Sequence, residues 1–464
     1  MSKKRSISIV FSLLILLFSL LINAINPVIN NFKIGVVLSF SLNSWVFGSM
    51  CINSIIKHRY SFEFIHSFFL LFMMNIAPMI QYYTTNAFLS FKPDDTQIVF
   101  TNFLLLLWSV VFYIGYGYSS RNHKPQKKTY NMELQLKGYS TTIVGVLLLI
   151  ESGYVLFVTG FNIFRNNSAE SRFIGTGLSV LSFALRVTLV IVANIISFCL
   201  YKKNKKKLFF PLITLFLTLI IAFPTAIPRF IAATIYGGLI LIIFSKKMKS
   251  SYLYSIMFII GFVIIFPILS NFRYESDNIN IFEMFMSVLT GFKREYNSGN
   301  YDGYMMLMRT LDYVSDNGIV WGKSLIGNTL FFIPRSLWSN KPVGSGAFIA
   351  EYYNFSFTNC SQSLMAESYL NFGIIGIFLY SFIVGYATQK YDYLYWDSNY
   401  KNTYSKLLYP FYIHLFFILL RGDFLTGYLY FFVITIFSTI LFRLLLKKKY
   451  IDYIENEEES NDIS

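Results

Sequence analysis

The chain has 464 residues, of which 55% are hydrophobic, 19% aromatic and only 14% charged. A water-soluble protein needs roughly 25% charged residues to cover its surface, so a string of soluble domains is excluded. The formal charge of +15 does not describe a nucleic-acid stripe either. Its cations fall in short clusters between apolar runs, such as Lys3-Lys4-Arg5, Lys57-His58-Arg59, Lys246-Lys247-Lys249 and Lys447-Lys448-Lys449, which is a membrane-topology pattern.

Taken in chain order, the apolar runs predict an all-α integral membrane protein with about twelve spans, a single polytopic unit over residues 1–464. Residues 6–26 follow a basic start, but no small-residue cleavage site comes after them, so they read as a retained span. Further spans are expected at 34–56, 62–83, 97–118, 140–159, 177–201, 208–224, 229–245, 251–270, 364–388, 404–420 and 424–446. With the N-terminus in the cytoplasm, the inner segments hold 25 of the Lys and Arg residues and the outer segments 13, while Arg186 lies inside a span. Seven of the outer set sit in one long loop, and long loops weigh little in the positive-inside rule. Both termini are therefore expected on the cytoplasmic side, the C-terminus as a tail over 447–464.

The distinctive feature is an outer loop of 93 residues, 271–363. A loop that long is unusual unless it is functional. Phe282, Phe285, Met286 and Leu289, and again Tyr304, Leu307, Met308 and Leu311, fall at helical spacing. Two amphipathic helices are expected there, either lying on the outer leaflet or packed against the protein.

Chemistry-bearing residues concentrate on the outer side. Only 4 of the 25 inner cations are Arg, against 8 of 13 outside: Arg165, Arg172, Arg229, Arg273, Arg294, Arg309, Arg335 and Arg421. Lysine suffices where only charge matters; the planar guanidinium fork suits bidentate grip on phosphate or carboxylate, though headgroup snorkelling would also place Arg at span ends. Arg229 follows the tight turn Pro224-Thr225-Ala226-Ile227-Pro228 and opens a span whose N-terminal amides face outward. Arg421 stands in the short turn Arg421-Gly422-Asp423, where local pairing with Asp423 is the bland alternative. The run Ile333-Pro334-Arg335-Ser336-Leu337-Trp338-Ser339-Asn340-Lys341-Pro342 reads as an anion-binding loop, and Glu367 stands at the entrance of the tenth span, where an acidic residue also favours a helix N-terminus. Glu151 and Arg186 fall at matching depth inside two neighbouring spans, and since an unpaired intramembrane charge is costly they are expected to pair, as a structural tie more than a catalytic one. Cys51, Cys199 and Cys360 are scattered, and the four histidines form no cluster, so neither a disulfide framework nor a metal or ATP-driven mechanism has support.

Together these residues resemble a known family. One large late outer loop carrying Pro334-Arg335, Trp338 and Lys341-Pro342, then Glu367, Tyr369 and Asn371-Phe372-Gly373, is similar to the Wzy-type O-antigen (oligosaccharide repeat unit) polymerases, and Pro228-Arg229 is similar to that family's Arg motif at the outer end of a middle span. The topology resembles the family over the whole chain, the motifs over about 229–375. The resemblance implies a GT-C-like glycosyltransferase of the bacterial cytoplasmic (inner) membrane. It would join undecaprenyl-diphosphate-linked repeat units on the outer face, without cofactor, metal or nucleotide sugar, toward O-antigen or capsule polysaccharide. A chain-length regulator and the pathway's flippase are the implied partners. On this basis Arg229, Arg273, Arg335, Arg421 and Lys341 are assigned to diphosphate binding, with Arg229 and Arg335 catalytic as leaving-group stabilisers. Glu367 is assigned as base or acceptor-positioning group, and Trp338, Tyr352 and Tyr353 as sugar contacts. The rivals are the related O-antigen ligases, whose outer-face histidine has no clear counterpart here, and a transporter or flippase, against which the absence of repeated halves argues.

Overall fold

The computed structural model describes residues 33–85, 87–89, 91–122, 131–161, 176–204, 208–244, 251–268, 296–396 and 404–451, and before them only Val10, Leu14 and Leu17. The expected first span, the first amphipathic helix with Phe282, Phe285, Met286 and Leu289, and Arg165, Arg172, Arg273 and Arg294 lie outside the described residues. In order come α1 (Ile34–Lys57), α2 (Phe62–Thr85), α3 (Asp95–Asn122), a strand β1 (Asn131–Leu136), α4 (Ser140–Thr159) and α5 (Thr176–Lys203). They are followed by α6 (Phe209–Ile221), α7 (Arg229–Phe244), α8 (Tyr252–Ile268), α9 (Gly303–Asn317), α10 (Lys323–Thr329) and α11 (Ser345–Tyr352). The chain closes with α12 (Leu364–Trp396), α13 (Tyr404–Arg421), α14 (Phe424–Leu445) and β2 (Leu446–Ile451).

Seven of these helices, α1 to α5, α12 and α14, are long and apolar enough to cross a membrane, which makes the chain a helical membrane protein. Among the described residues, the other expected spans are weaker by length or composition. Thirteen residues in α6 rise only about 20 Å, short of a hydrocarbon core of about 30 Å. α13 has 18 residues, but Lys406, Tyr409, Pro410, His414 and Arg421 dilute its apolar run.

The all-α expectation misses one element. β1 and β2 pair antiparallel, from Asn131 opposite Ile451 to Leu136 opposite Leu446. Lys137 N and Ser140 Oγ extend the tie by donating to Leu445 O at 3.1 and 2.6 Å. This ladder fastens the start of α4 to the end of α14 at one end of the bundle.

The helices pack through small residues and polar ties. A Cβ on Gly115 of α3 would lie 2.2 Å from Phe382 O, and one on Gly385 of α12 would lie 2.0 Å from Phe112 O, so two bare glycines let these backbones touch. α2 is capped by Ser61, whose Oγ accepts from Phe64 N at 3.0 Å. Buried Asp392 of α12 accepts from Phe62 N and Glu63 N at 2.9 and 3.2 Å, and from Tyr409 at 2.6 Å. Lys57, Tyr116 and Glu63 adjoin this knot, which belongs to the same end as the termini of α1 and α12. Between α4 and α5, Arg186 Nε lies 2.5 Å from Glu151 Oε1, with Arg186 2% exposed and Glu151 24%.

At the opposite end the N-termini of α1 and α3 meet through Lys33 and Asp95, 2.5 Å apart. Gln81 near the end of α2 donates to Tyr296 O and Tyr301 O at 2.7 and 3.1 Å, so the segment leading into α9 is moored here. Tyr304, Leu307, Met308 and Leu311 of α9 are all buried. This amphipathic helix is packed into the protein, and of the two expectations for its apolar face the structure takes packing.

Candidate functional site

Two of the singled-out arginines come together on the segment that enters α9. Arg229 reaches it from the first turn of α7, where Pro228 holds an extended backbone (φ −54°, ψ 133°) and α7 begins with the next residue. Its Nη2 donates to Asn300 Oδ1 and its Nη1 to Phe266 O at 3.3 Å. Arg421, the last residue of α13, donates through Nη2 to Asn300 O at 3.0 Å and to Asp302 Oδ1 at 3.4 Å. Its guanidinium lies over the Phe230 ring, 4.9 Å from the centroid, and its buried Nε has no hydrogen-bond partner among the described residues. Asp302, 1% exposed, also accepts from Ser361 N at 2.9 Å. Arg421 meets one carboxylate and keeps an idle buried donor, an arrangement suited to an anion.

Arg421 does not pair with Asp423. The Asp423 carboxylate caps α14 by accepting from Leu425 N at 2.9 Å and takes Gly346 N at 3.1 Å. Burial raises its pKa above the ordinary aspartate value, against those two amide bonds, which pull it down. A Cβ on Gly344 would come within 2.3 Å of Asp423 Oδ2, so only glycine lets the chain cross here.

Glu367 is fully buried. Its Oε1 accepts from Ser324 at 2.7 Å, Asn371 at 3.0 Å and Asn328 at 3.4 Å, and its Oε2 from Ser345. One carboxylate thus gathers α10, the first residue of α11 and the start of α12. Of the two roles expected for Glu367, base or acceptor positioning, its occupied oxygens and lack of exposure favour positioning. The helix carrying it breaks at Gly373, where φ is 58° and ψ −141°, a conformation that glycine adopts at no steric cost.

Arg335 makes its hydrogen bonds within its own loop. It is exposed and donates to Lys341 O at 2.8 Å and Pro342 O at 3.5 Å, while Lys341 Nζ donates to Phe331 O and Ile333 O at 2.8 and 2.9 Å. Burial, and then the neighbouring Arg335, lower the Lys341 pKa. The two cations satisfy the carbonyls of their own loop, bracketed by Pro334 and Pro342.

Of the expected sugar contacts, Tyr352 and Tyr353 adjoin, their ring centroids 5.0 Å apart. Trp338 is half-buried in the Arg335 loop. Tyr352 is 44% exposed, meets Tyr313 edge-on at 4.8 Å and accepts from Asn317 at 2.9 Å. The Tyr353 ring is covered by Arg309, whose guanidinium sits 4.4 Å from its centroid and 3.9 Å from that of Phe91. Asn300 and Asp302 escaped the sequence reading: a contact from Arg229 across 71 residues leaves no local signal, and the Ser298-Gly299-Asn300 turn resembles any loop. No family model, curated protein or solved structure matches this chain.

Proposed function

We propose that the chain is a polymerase of lipid-linked oligosaccharide repeat units, with about twelve spans, both termini cytoplasmic, and the Arg229–Arg421 end of the bundle facing outward from a bacterial cytoplasmic membrane. The observation that carries the reading is the meeting of Arg229 and Arg421, from two different helices, on Asn300 and Asp302. In glycosyl transfer from a polyprenyl diphosphate, the acceptor hydroxyl oxygen forms a bond to the anomeric carbon. The bond from that carbon to the diphosphate oxygen breaks, and the diphosphate leaves with the electron pair. Arg229 and Arg421 would stabilise that charge where it develops. The hydroxyl proton needs an acceptor, and Asp423, two residues from Arg421 and raised in pKa by burial, suits this role better than enclosed Glu367. Glu367 becomes a positioning residue, holding the loops that present Ser345, Gly346 and the Asp423 turn. Arg335 and Lys341 take a second place, as an exposed basic loop at the rim.

The test is the glycan ladder of a deletion strain complemented with single variants. Loss of a polymerase leaves core plus one repeat unit, loss of a ligase leaves bare core, and loss of a flippase traps units inside. Arg229→Lys and Arg421→Lys keep the charge but remove the fork, and each is expected to cut elongation about a hundredfold or more at unchanged membrane abundance. Full-length ladders from both would overturn the assignment.

A further inference from the structure

A second feature at the same end of the bundle is not used by the reading above. A groove of about 520 Å³ lies between the N-terminus of α3 and the C-terminal half of α9, lined by Phe91, Lys92, Pro93, Asp94, Gln97 and Asp312 together with Thr96 and Phe100. Its walls are firmly held. Phe88 and Phe91 exchange both backbone hydrogen bonds, at 2.7 and 3.0 Å, and Arg309 backs the Phe91 ring at 3.9 Å. Asp94 caps α3 by accepting from Gln97 N at 3.0 Å and Thr96 Oγ1 at 2.8 Å. Gln97 Nε2 donates to Asp312 Oδ1 at 2.6 Å and Met308 O at 3.3 Å. Among the described residues, Gln97 Oε1 and Asp312 Oδ2 then have no hydrogen-bond partner, while Phe100 stands 39% exposed.

We infer that this groove is a saccharide-binding site, separate from the arginine pair. Apolar ring faces beside free, planar acceptors match a sugar, whose C–H face stacks on an aromatic while its hydroxyls donate to carboxylate and amide oxygens. No excess of positive charge favours an anion here. Asp94, Asp95 and Asp312 balance Lys33, Lys92 and Arg309, which lies against Phe91, and Lys33 is already engaged by Asp95 at 2.5 Å. A metal is not indicated, since among the described residues no three His, Cys, Asp or Glu side chains converge. The groove also opens at Thr96 and Phe100 onto an apolar groove lined by Ile34, Val36, Val99 and Phe103, which puts it at the membrane boundary, where the sugars of a lipid-linked glycan travel. From Asp302 at the arginine pair to Asp312 is ten residues of α9, about 15 Å along the helix. That is the reach of a short oligosaccharide, so the groove would hold glycan remote from the reacting bond. The choice of ligand rests on the polymerase reading.

The test is saturation-transfer NMR on the full chain in nanodiscs, with the lipid-free oligosaccharide released by mild acid from the host strain's own polysaccharide. Wild type is expected to transfer saturation to the sugar, and Asp312→Asn to weaken binding about tenfold. No transfer with wild type, or wild-type affinity in Asp312→Asn, overturns the inference. If the Asp312→Asn chain is not recovered folded, Phe100→Leu on the exposed wall decides by the same criterion. Since the readout is binding of free glycan and not turnover, a chain that binds yet fails to elongate sinks the enzyme reading and leaves this site standing. A chain that elongates without binding here does the reverse.

Discussion

Asp423 and Glu367 approach Ser345 and Gly346 from two sides, and their surroundings separate their roles. Glu367 has four side-chain donors and no exposure, so its hydrogen bonds matter more than its charge. Asp423 accepts two amides and stands two residues after Arg421 in the chain. Asp423→Asn preserves a good helix cap but removes the base. It is expected to reduce elongation about a hundredfold while thermal stability in detergent stays within a degree or two. Because burial holds the Asp423 pKa above the ordinary aspartate range, wild-type elongation falls as pH drops through that raised value, and the Asn variant loses this acid limb. Glu367→Gln keeps the shape and loses an acceptor, so the expected result is lower stability with elongation reduced less than tenfold. A Glu367→Gln chain of normal stability and no activity would return the base role to Glu367. Of these groups, Arg229, Arg421 and Glu367 were visible in the sequence because each stands at the end of an apolar run, where a charge is conspicuous. Asn300 and Asp302 were not, because ordinary turn residues acquire meaning only through partners far along the chain.

At the scale of elements, helix positions were legible and helix contacts were not. The apolar run at 140–159 coincides with α4, and α3 runs past the end of its expected span through Ser119, Ser120, Arg121 and Asn122. The strands could not be read: Asn131–Leu136 and Leu446–Ile451 are too short and too charged for a sheet pattern, and they exist because each supplies the other's partners. Helix contact depends on which glycines lie against a neighbour. A Cβ on Gly385 would lie 2.0 Å from Phe112 O, while a Cβ at Gly117 on α3 would meet nothing within 4 Å. Gly385→Val must therefore push α12 off α3, with an expected loss of about 2–4 kcal/mol, read as a lower aggregation midpoint in detergent. Gly117→Ala is expected to be neutral or slightly stabilising. Equal behaviour of the two variants would mean that α3 and α12 do not touch as described.

For the whole molecule, the decisive property is that it has two chemically different ends. One gathers Lys57, Glu63, Asp392 and the β1–β2 ladder; the other gathers Lys33, Asp95, Gln81, Arg229, Arg421 and Glu367. Alternating traversal is the simplest way to sort successive helix ends so cleanly, and the ladder adds a covalent-chain argument, since two strands can pair only if both lie on one side of the bilayer. In the proposed orientation that side is the cytoplasm, as the positive-inside reading of the basic clusters expects. The consequence can be measured in a chain whose Cys51, Cys199 and Cys360 are replaced by Ala, with single cysteines at Gly138, beside β1, and at exposed Ser336. A membrane-impermeant maleimide applied to intact cells, with the outer membrane permeabilised where there is one, is expected to label Ser336→Cys and to spare Gly138→Cys until the cytoplasmic membrane is opened. A Cβ at Gly138 meets nothing within 4 Å, so protection there would reflect the bilayer and not packing. Labelling of both sites in intact cells would put the ladder and the Arg335 loop on one side. The arginine pair would then lose the outward orientation that glycan assembly requires, even with every contact around Arg229 and Arg421 intact.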